Sequence, residues 1–246
     1  MRKPFQGVSN IIFFNWHFYL LGVVVLSLII LINYLFPNQN YSLLLTIILI
    51  ALAPLLVSLL VSFYIYDLSD LYQLNWLEDL NGKKTLSVNA GFDETSQIII
   101  SKYPLTALTV CDFYDPHKHT EVSIRRARKR YPPYPSTIQV STTMLPFPNN
   151  NFALSFAILS AHEIRNNKER VQFFLELSRV TSGQIFVTEH LRNIPNFLAY
   201  TIGFFHFYSR KTWINTFEKA NLKVIREIKS TPFVTTFILD KHGDPS

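Results

Sequence analysis

Two long apolar segments without a charged residue dominate the first quarter of the chain, at residues 18–36 and 43–66. As helices they reach about 28 and 36 Å, compared with roughly 30 Å for the hydrocarbon core of a bilayer. The polar turn between them, residues 37–40, is short enough to make two helices antiparallel neighbours. This pattern predicts a transmembrane hairpin within residues 1–66, with the lipid bilayer as a partner.

The flanks of the two segments predict an orientation. Arg2 and Lys3 precede the first segment, Lys83 and Lys84 follow the second, and the turn is uncharged. Because positive residues favour the cytoplasmic side, we expect both termini and the rest of the chain to be cytoplasmic. A cleaved signal peptide is disfavoured because no small-x-small site follows the first segment. A pair of buried core helices remains the alternative.

A leucine at every third position from 68 to 77 marks the next segment. This spacing predicts an amphipathic linker helix over residues 67–82, which lies at the membrane interface or extends the second span. Asn81-Gly82 ends it and separates it from a domain over residues 83–246.

Apolar runs in that domain alternate between the periods of strands and helices. The predicted strands cover residues 85–88, 105–111, 137–142, 152–159, 184–188, 223–227 and 233–239. The predicted helices cover residues 97–103, 119–130, 168–179, 196–207 and 211–220. Such alternation predicts an α/β fold, a mostly parallel seven-stranded sheet with helices on both faces. Ligands of such sheets bind beyond the carboxyl ends of the strands.

Composition narrows the class of protein further. Charged residues make up 16% of the chain, the net charge is +6 and 48% of residues are hydrophobic, which excludes a disordered chain. The single cysteine excludes an intramolecular disulfide framework and a multi-cysteine zinc site, and it suits a reducing compartment. The basic run at residues 125–130 has three interpretations: a solvated helix face, a contact with anionic headgroups or, less favoured, a nucleic-acid surface.

Six sequence motifs in order resemble those of class I S-adenosylmethionine-dependent methyltransferases of the type 11 kind. They read LPFPNNNFAL at 145–154, AHEI at 161–164, ELSRVTSGQ at 176–184, EHLR at 189–192, FHFYSRKTW at 205–213 and ANL at 220–222. The resemblance covers roughly residues 83–242. It implies a Rossmann-like doubly wound sheet, S-adenosyl-L-methionine as the cofactor and methyl transfer as the activity.

The resemblance also implies roles for particular residues. Under the methionine and ribose moieties it places the turn with Asn89, Ala90, Gly91 and Asp93. Asp112 would bind the ribose hydroxyls. The remaining cofactor contacts would be Phe113, Ser141 and Thr142 around the adenine, and Leu159 closing the pocket.

The first cofactor motif departs from the family's D-x-G-x-G-x-G. Its four positions hold Ser87, Asn89, Gly91 and Asp93, and Ser141 stands where an acid is usual. Asn and Asp adopt left-handed backbone conformations more readily than most residues, so the turn is expected to persist. A membrane-bound scaffold with the fold but without the cofactor is the alternative function.

Candidates for the acceptor side follow the fifth strand. Glu189 and His190 are the candidate general bases, and His206, Tyr208 and Arg210 the candidate substrate contacts. No histidine spacing typical of metal sites occurs, so no metal is expected. The aromatic run at residues 197–208 favours a lipid, quinone-like or other membrane-resident acceptor. The same run also fits a helix packed against the sheet, and a soluble small-molecule acceptor stays open.

Overall fold

The computed structural model describes residues 2–35, 41–119 and 121–241. Helix α1 (Gln6–Phe14) comes first, followed by the long helices α2 (Trp16–Leu35) and α3 (Tyr41–Phe63). Both α2 and the helical segment that begins with α3 are long and apolar enough to cross a membrane, with mean hydropathies of 2.5 and 2.9. The predicted turn at residues 37–40 lies outside the described residues.

The linker at residues 67–82 is not the amphipathic helix that its leucine spacing predicted. A π-helical turn (Tyr64–Leu68) and a 3₁₀ turn (Asp70–Gln73) are followed by irregular chain, and Leu74 has a positive φ of 50°. The leucines at 74, 77 and 80 are buried against the sheet rather than facing a membrane. Their period of three therefore reflects packing on the domain.

A seven-stranded sheet forms the centre of the domain, in the order β3-β2-β1-β4-β5-β7-β6. The strands are β1 (Lys84–Asn89), β2 (Ala107–Asp112), β3 (Ile138–Gln139), β4 (Leu154–Ile158), β5 (Ile185–His190), β6 (Leu222–Lys229) and β7 (Val234–Lys241). All neighbours are parallel except that β7 runs antiparallel to both β5 and β6. This is the predicted doubly wound α/β architecture.

Helices cover both faces of this sheet. They are α4 (Ser96–Lys102), α5 (Val122–Arg130), α6 (Asn167–Val180), α7 (Ile194–Tyr200) and α8 (Arg210–Lys219). The helix predicted at 196–207 divides at Thr201, whose φ is 47°, and continues as the 3₁₀ turn Thr201–His206. The third strand is only two residues long, because Ser141 and Thr142 belong to a turn.

The strands are apolar because both faces of the sheet are covered by hydrophobic side chains. On one face, Phe174 and Leu177 of α6 pack with Trp213 and Phe217 of α8. On the other face the linker leucines pack with Ile99 of α4. Strand β5 is buried along its whole length, as expected for a central strand covered on both sides.

Candidate functional site

A cavity of about 800 Å³ lies at the carboxyl ends of the parallel strands. Strand ends supply one wall, including Asn89, Leu159 and His190. The opposite wall comes from the first three helices and extends along α2 as far as Val25 and along α3 as far as Ala51. This large cavity therefore continues from the sheet into the space between the two apolar helices.

In the turn after β1, Gly91 has a positive φ, whereas Asn89 and Asp93 do not take the left-handed conformation expected from their residue types. Gly91 has a φ of 88°, and its N–H donates to Asn89 Oδ1 at 2.8 Å. Asp93 Oδ1 accepts from the N–H groups of Thr95 and Ser96 at 2.9 Å, which fixes the start of α4. Asp93 Oδ2 is buried and has no hydrogen-bond partner among the described residues. Asp93 Oδ2 is thus an unpaired hydrogen-bond acceptor at the edge of the large cavity. Ala90, which the resemblance also placed at the cofactor, is buried in the core.

Asp112 stands at the end of β2, next to that turn, and is 2% exposed. Its Oδ1 accepts from the N–H of Tyr114 at 2.7 Å, and its Oδ2 forms an ion pair with Arg128 of α5. A Cβ atom on Gly91 would clash with the Arg128 guanidinium. Arg128 therefore fills the space over Gly91 that a ribose bound to Asp112 would need.

A small cavity of about 440 Å³ adjoins Asp112 and contains the predicted adenine contacts. Phe113, Ser141 and Thr142 line it, together with Tyr114 and Glu169. The Arg128 guanidinium also lies over the Tyr114 ring, 4.3 Å from its centre. The arginine thus contacts the β1–α4 turn and a wall of the small cavity at once.

Helix α1, which the apolar pattern did not predict, closes the other side of the turn. Glu94 accepts hydrogen bonds from Arg2 at 2.6 Å, Asn10 at 3.2 Å and Tyr72 at 2.6 Å. The Asp67 carboxylate accepts from the first backbone N–H groups of α1, both at 2.8 Å. These contacts hold the N-terminal segment against the site.

The basic helix α5 contacts the N-terminal helices rather than being only a solvated face. Arg126 donates to the Phe14 carbonyl at 2.6 Å and lies over the Trp16 ring. Arg130 lies 3.8 Å from the centre of the Phe13 ring. Its positive charges therefore position α1 and the start of α2.

His190 lines the large cavity with both ring nitrogens engaged. Nε2 lies 2.8 Å from the Tyr66 hydroxyl, and Nδ1 lies 3.2 Å from Asn196 Oδ1. The ring also stacks on Phe207 at 4.8 Å. Burial lowers the pKa of His190 to about 4, so the imidazole is neutral at pH 7.

Glu189 is fully buried and acts on His162. Its carboxylate lies 2.6 Å from His162 Nδ1 and accepts from the His162 backbone N–H at 3.2 Å. Burial opposes a charge on His162, but the Glu189 and Glu163 carboxylates outweigh it and raise the pKa of the imidazole to about 10. The pKa of Glu163 lies well below its usual value, because hydrogen bonds from His162 and His206 outweigh its burial.

The three predicted substrate contacts separate in space. His206 lines the large cavity, next to Glu163. Tyr208 packs under Arg170 and against Trp213, and Arg210 pairs with Glu227 on the surface. Within the described chain, Tyr208 and Arg210 line neither cavity. Sequence reasoning missed Arg128, His162, Glu163 and Glu121, whose common location depends on tertiary structure.

Comparison with known proteins identifies the fold. No family model and no curated protein matches the chain. A SAM-dependent methyltransferase from Aquifex aeolicus aligns over 76% of this chain and 97% of its own, with a TM-score of 0.51 and 16% identity.

Two further solved structures agree with that one. An O-methyltransferase family 2 protein from Planctomyces limnophilus, in complex with apigenin, aligns over 77% of this chain and 61% of its own, at a TM-score of 0.51 and 12% identity. The pyocyanin biosynthetic protein PhzM aligns over 85% of this chain and 61% of its own, at a TM-score of 0.52 and 10% identity. The chain has the Rossmann-like fold of the S-adenosylmethionine-dependent methyltransferases.

Proposed function

We propose that this protein is a membrane-anchored S-adenosylmethionine-dependent methyltransferase whose acceptor enters from the bilayer. The large cavity carries the proposal, because the strand ends and the two apolar helices line it together. Residues 1–66 are then the membrane hairpin, and residues 83–246 are a cytoplasmic catalytic domain. Arg2 and Lys3 on one side and Lys83 and Lys84 on the other support this orientation.

The residues present fit the cofactor. Asp93 Oδ2, buried and unpartnered among the described residues, suits a ligand's ammonium group at the turn. Asp112 is placed for the ribose hydroxyls once Arg128 moves aside, and Phe113, Ser141 and Thr142 are placed for the adenine. The bound cofactor would supply an electrophilic methyl group on a positive sulfur, so the protein mainly aligns the acceptor and excludes water.

The acceptor would reach the site from the bilayer, between α2 and α3. Phe18 and Val25 of α2 and Pro54 of α3 line the inner end of the cavity, a wall that suits an apolar molecule. Beside α3, the α7 region exposes Phe197, Leu198 and its neighbours, including Ile202 at 76% and Phe205 at 63%. Such a surface suits contact with lipid.

Neither candidate general base is placed to take a proton directly from an acceptor. Glu189 is not in contact with the cavity and positions His162. His190 Nε2 lies 2.8 Å from the Tyr66 hydroxyl, which lines the cavity, so His190 would orient that hydroxyl toward the acceptor. Its pKa of about 4 makes it a weak base at pH 7. Both are therefore proposed as groups that act through a neighbour.

The test uses the full-length protein in detergent with methyl-labelled S-adenosylmethionine. We expect label in the organic phase when membrane-lipid extract is added. Label only in the aqueous or protein fraction would contradict a bilayer acceptor. Titration calorimetry with S-adenosylhomocysteine tests the cofactor half separately: no binding at millimolar ligand would favour the scaffold function instead.

A further inference from the structure

Three metal-binding side chains meet on the wall of the large cavity. His162 and Glu163 come from the 3₁₀ turn after β4 (Ala161–Glu163), and His206 comes from the 3₁₀ turn after α7. One ligand atom of each lies within 4.8 Å of the others. All three residues line the large cavity.

The distances among them suit a shared ion. Glu163 Oε1 lies 3.4 Å from His162 Nε2 and 3.6 Å from His206 Nε2. Two ligands of a tetrahedral ion, each at about 2.0–2.1 Å from it, lie about 3.4 Å apart. Charge-assisted hydrogen bonds are shorter, at roughly 2.7–2.9 Å. The two contacts are long for charge-assisted hydrogen bonds, and their lengths match the separation of two ligands on one ion.

Carboxylates orient both histidines in the same way, which supports a metal site separately from the distances. Glu189 holds Nδ1 of His162 at 2.6 Å, and Glu121 holds Nδ1 of His206 at 2.8 Å. A carboxylate that accepts from Nδ1–H turns Nε2 away from itself, and in each case Nε2 is the atom that faces Glu163. A metal ion bound there would replace the Nε2 proton. Metal-binding histidines in proteins are characteristically oriented by such carboxylates.

The local charge also calls for a cation. Glu121, Glu163 and Glu189 bring three carboxylates together around two imidazoles. Arg165 contacts Glu121 and both ring nitrogens of His206, so it already brings one positive charge to the mouth of the cluster. Because metal ligands must be deprotonated, a divalent ion would replace the Nε2 protons of the two histidines, and its two charges would neutralise the two negative charges that then remain.

We propose that His162, Glu163 and His206 bind a divalent transition metal of the Zn²⁺ type. Two imidazoles and one carboxylate favour such an ion over Mg²⁺, which prefers oxygen ligands. Three protein ligands leave a coordination position open toward the cavity. On the proposed function, that position would take a hydroxyl of the acceptor and lower its pKa, which makes a phenol or alcohol the class of acceptor.

The test measures metal binding directly and needs no assay of enzymatic activity. Full-length protein is stripped with a chelator, dialysed, and titrated with Zn²⁺ by calorimetry and with Co²⁺ by visible absorption. We expect one ion per chain and a Co²⁺ spectrum of low coordination number. His162→Ala and His206→Ala should each weaken binding by about 100-fold or more, and Glu189→Gln by about 10–100-fold.

Two further variants serve as controls. His117→Ala removes an exposed loop histidine and should leave the affinity unchanged. Glu163→Gln keeps the shape of the side chain and should still lose the site, which separates loss of a ligand from misfolding. Zn²⁺ affinity that is equal in wild type and Glu163→Gln, or the absence of a one-to-one complex, would overturn the proposal. Either result leaves the cofactor titration unaffected.

Discussion

Arg128 and Asp112 form their ion pair where the ribose of the proposed cofactor would bind. Replacing Arg128 by Ala should strengthen S-adenosylhomocysteine binding by about fivefold, because a half-exposed ion pair costs roughly 1 kcal/mol to break. Calorimetry of the full-length protein measures this. Arg125→Ala, on the same helix but exposed, is the matched control. Weaker binding in Arg128→Ala would mean that the arginine contacts the ligand instead.

Asp112→Ala should act in the opposite direction. Loss of hydrogen bonds to a charged acceptor costs about 1.5–3 kcal/mol, so the affinity for the same ligand should fall by roughly 10–150-fold. We therefore expect Arg128→Ala to raise the affinity for S-adenosylhomocysteine and Asp112→Ala to lower it. Equal affinity in Asp112→Ala and wild type would exclude this carboxylate from the cofactor site.

His190 predicts a pH dependence of stability. Its pKa is about 4 in the folded protein because of burial and about 6.5 in the unfolded chain, so the unfolded state binds the proton first. Folded-state stability is therefore lost as pH falls from about 6.5 to 4, by about 3 kcal/mol in total. Denaturant midpoints of wild type and His190→Gln between pH 8 and 4 measure it.

The variant should lose part of this acid sensitivity, whereas His117→Gln should keep all of it. Parallel curves for wild type and His190→Gln would contradict a neutral buried imidazole.

At this scale the sequence predicted some positions and not others. The position of Asp112 and Phe113 at the end of a strand could be predicted, because the apolar run stops there. Arg128 could not, because its part in the site depends on how α5 folds back over Gly91. His162 and His206 lie far apart in the chain, and only the fold brings their rings to 4.9 Å.

At the scale of elements, α2 offers a test of the acceptor route. Val25 lines the large cavity, whereas Val23, two residues away, does not and is 60% exposed. Val25→Phe should narrow the passage and lower kcat/KM for a membrane acceptor by about tenfold or more, without changing the affinity for the cofactor. Val23→Phe should behave as wild type. Similar losses in both variants would point to a general effect on the hairpin.

Hydrophobic periodicity predicted most elements of the sheet and both long helices, since these bury or expose whole faces. It misassigned residues 67–82 because a leucine at every third position fits both a membrane-facing helix and irregular chain packed on a sheet. The positive φ of Leu74, which decides between them, leaves no mark in the apolar pattern. Helix α1 was missed because its buried Asn10 contacts a loop residue, Glu94, rather than an apolar face.

For the whole molecule, we predict how the chain is oriented in the membrane. The basic flanks predict that both ends lie on the cytoplasmic side. A reporter enzyme that works only in the cytoplasm should therefore be active when it is fused after residue 246. A reporter enzyme that works only outside the cytoplasm should be active when it is inserted at residues 37–40. The reverse pattern would contradict the proposed topology, since the cavity would then face away from the cytosolic cofactor.

The bonds between Glu94 and the first ten residues affect how the protein can be handled. Truncation before residue 79 is the usual way to make such a protein soluble, yet it would remove Arg2, Asn10 and Tyr72 from Glu94. It would also remove the whole α2–α3 wall of the cavity. The N-terminal segment thus completes the candidate site. We expect a tag placed against Arg2, or a cut that frees residues 83–246, to disturb the site as directly as a point mutation within it.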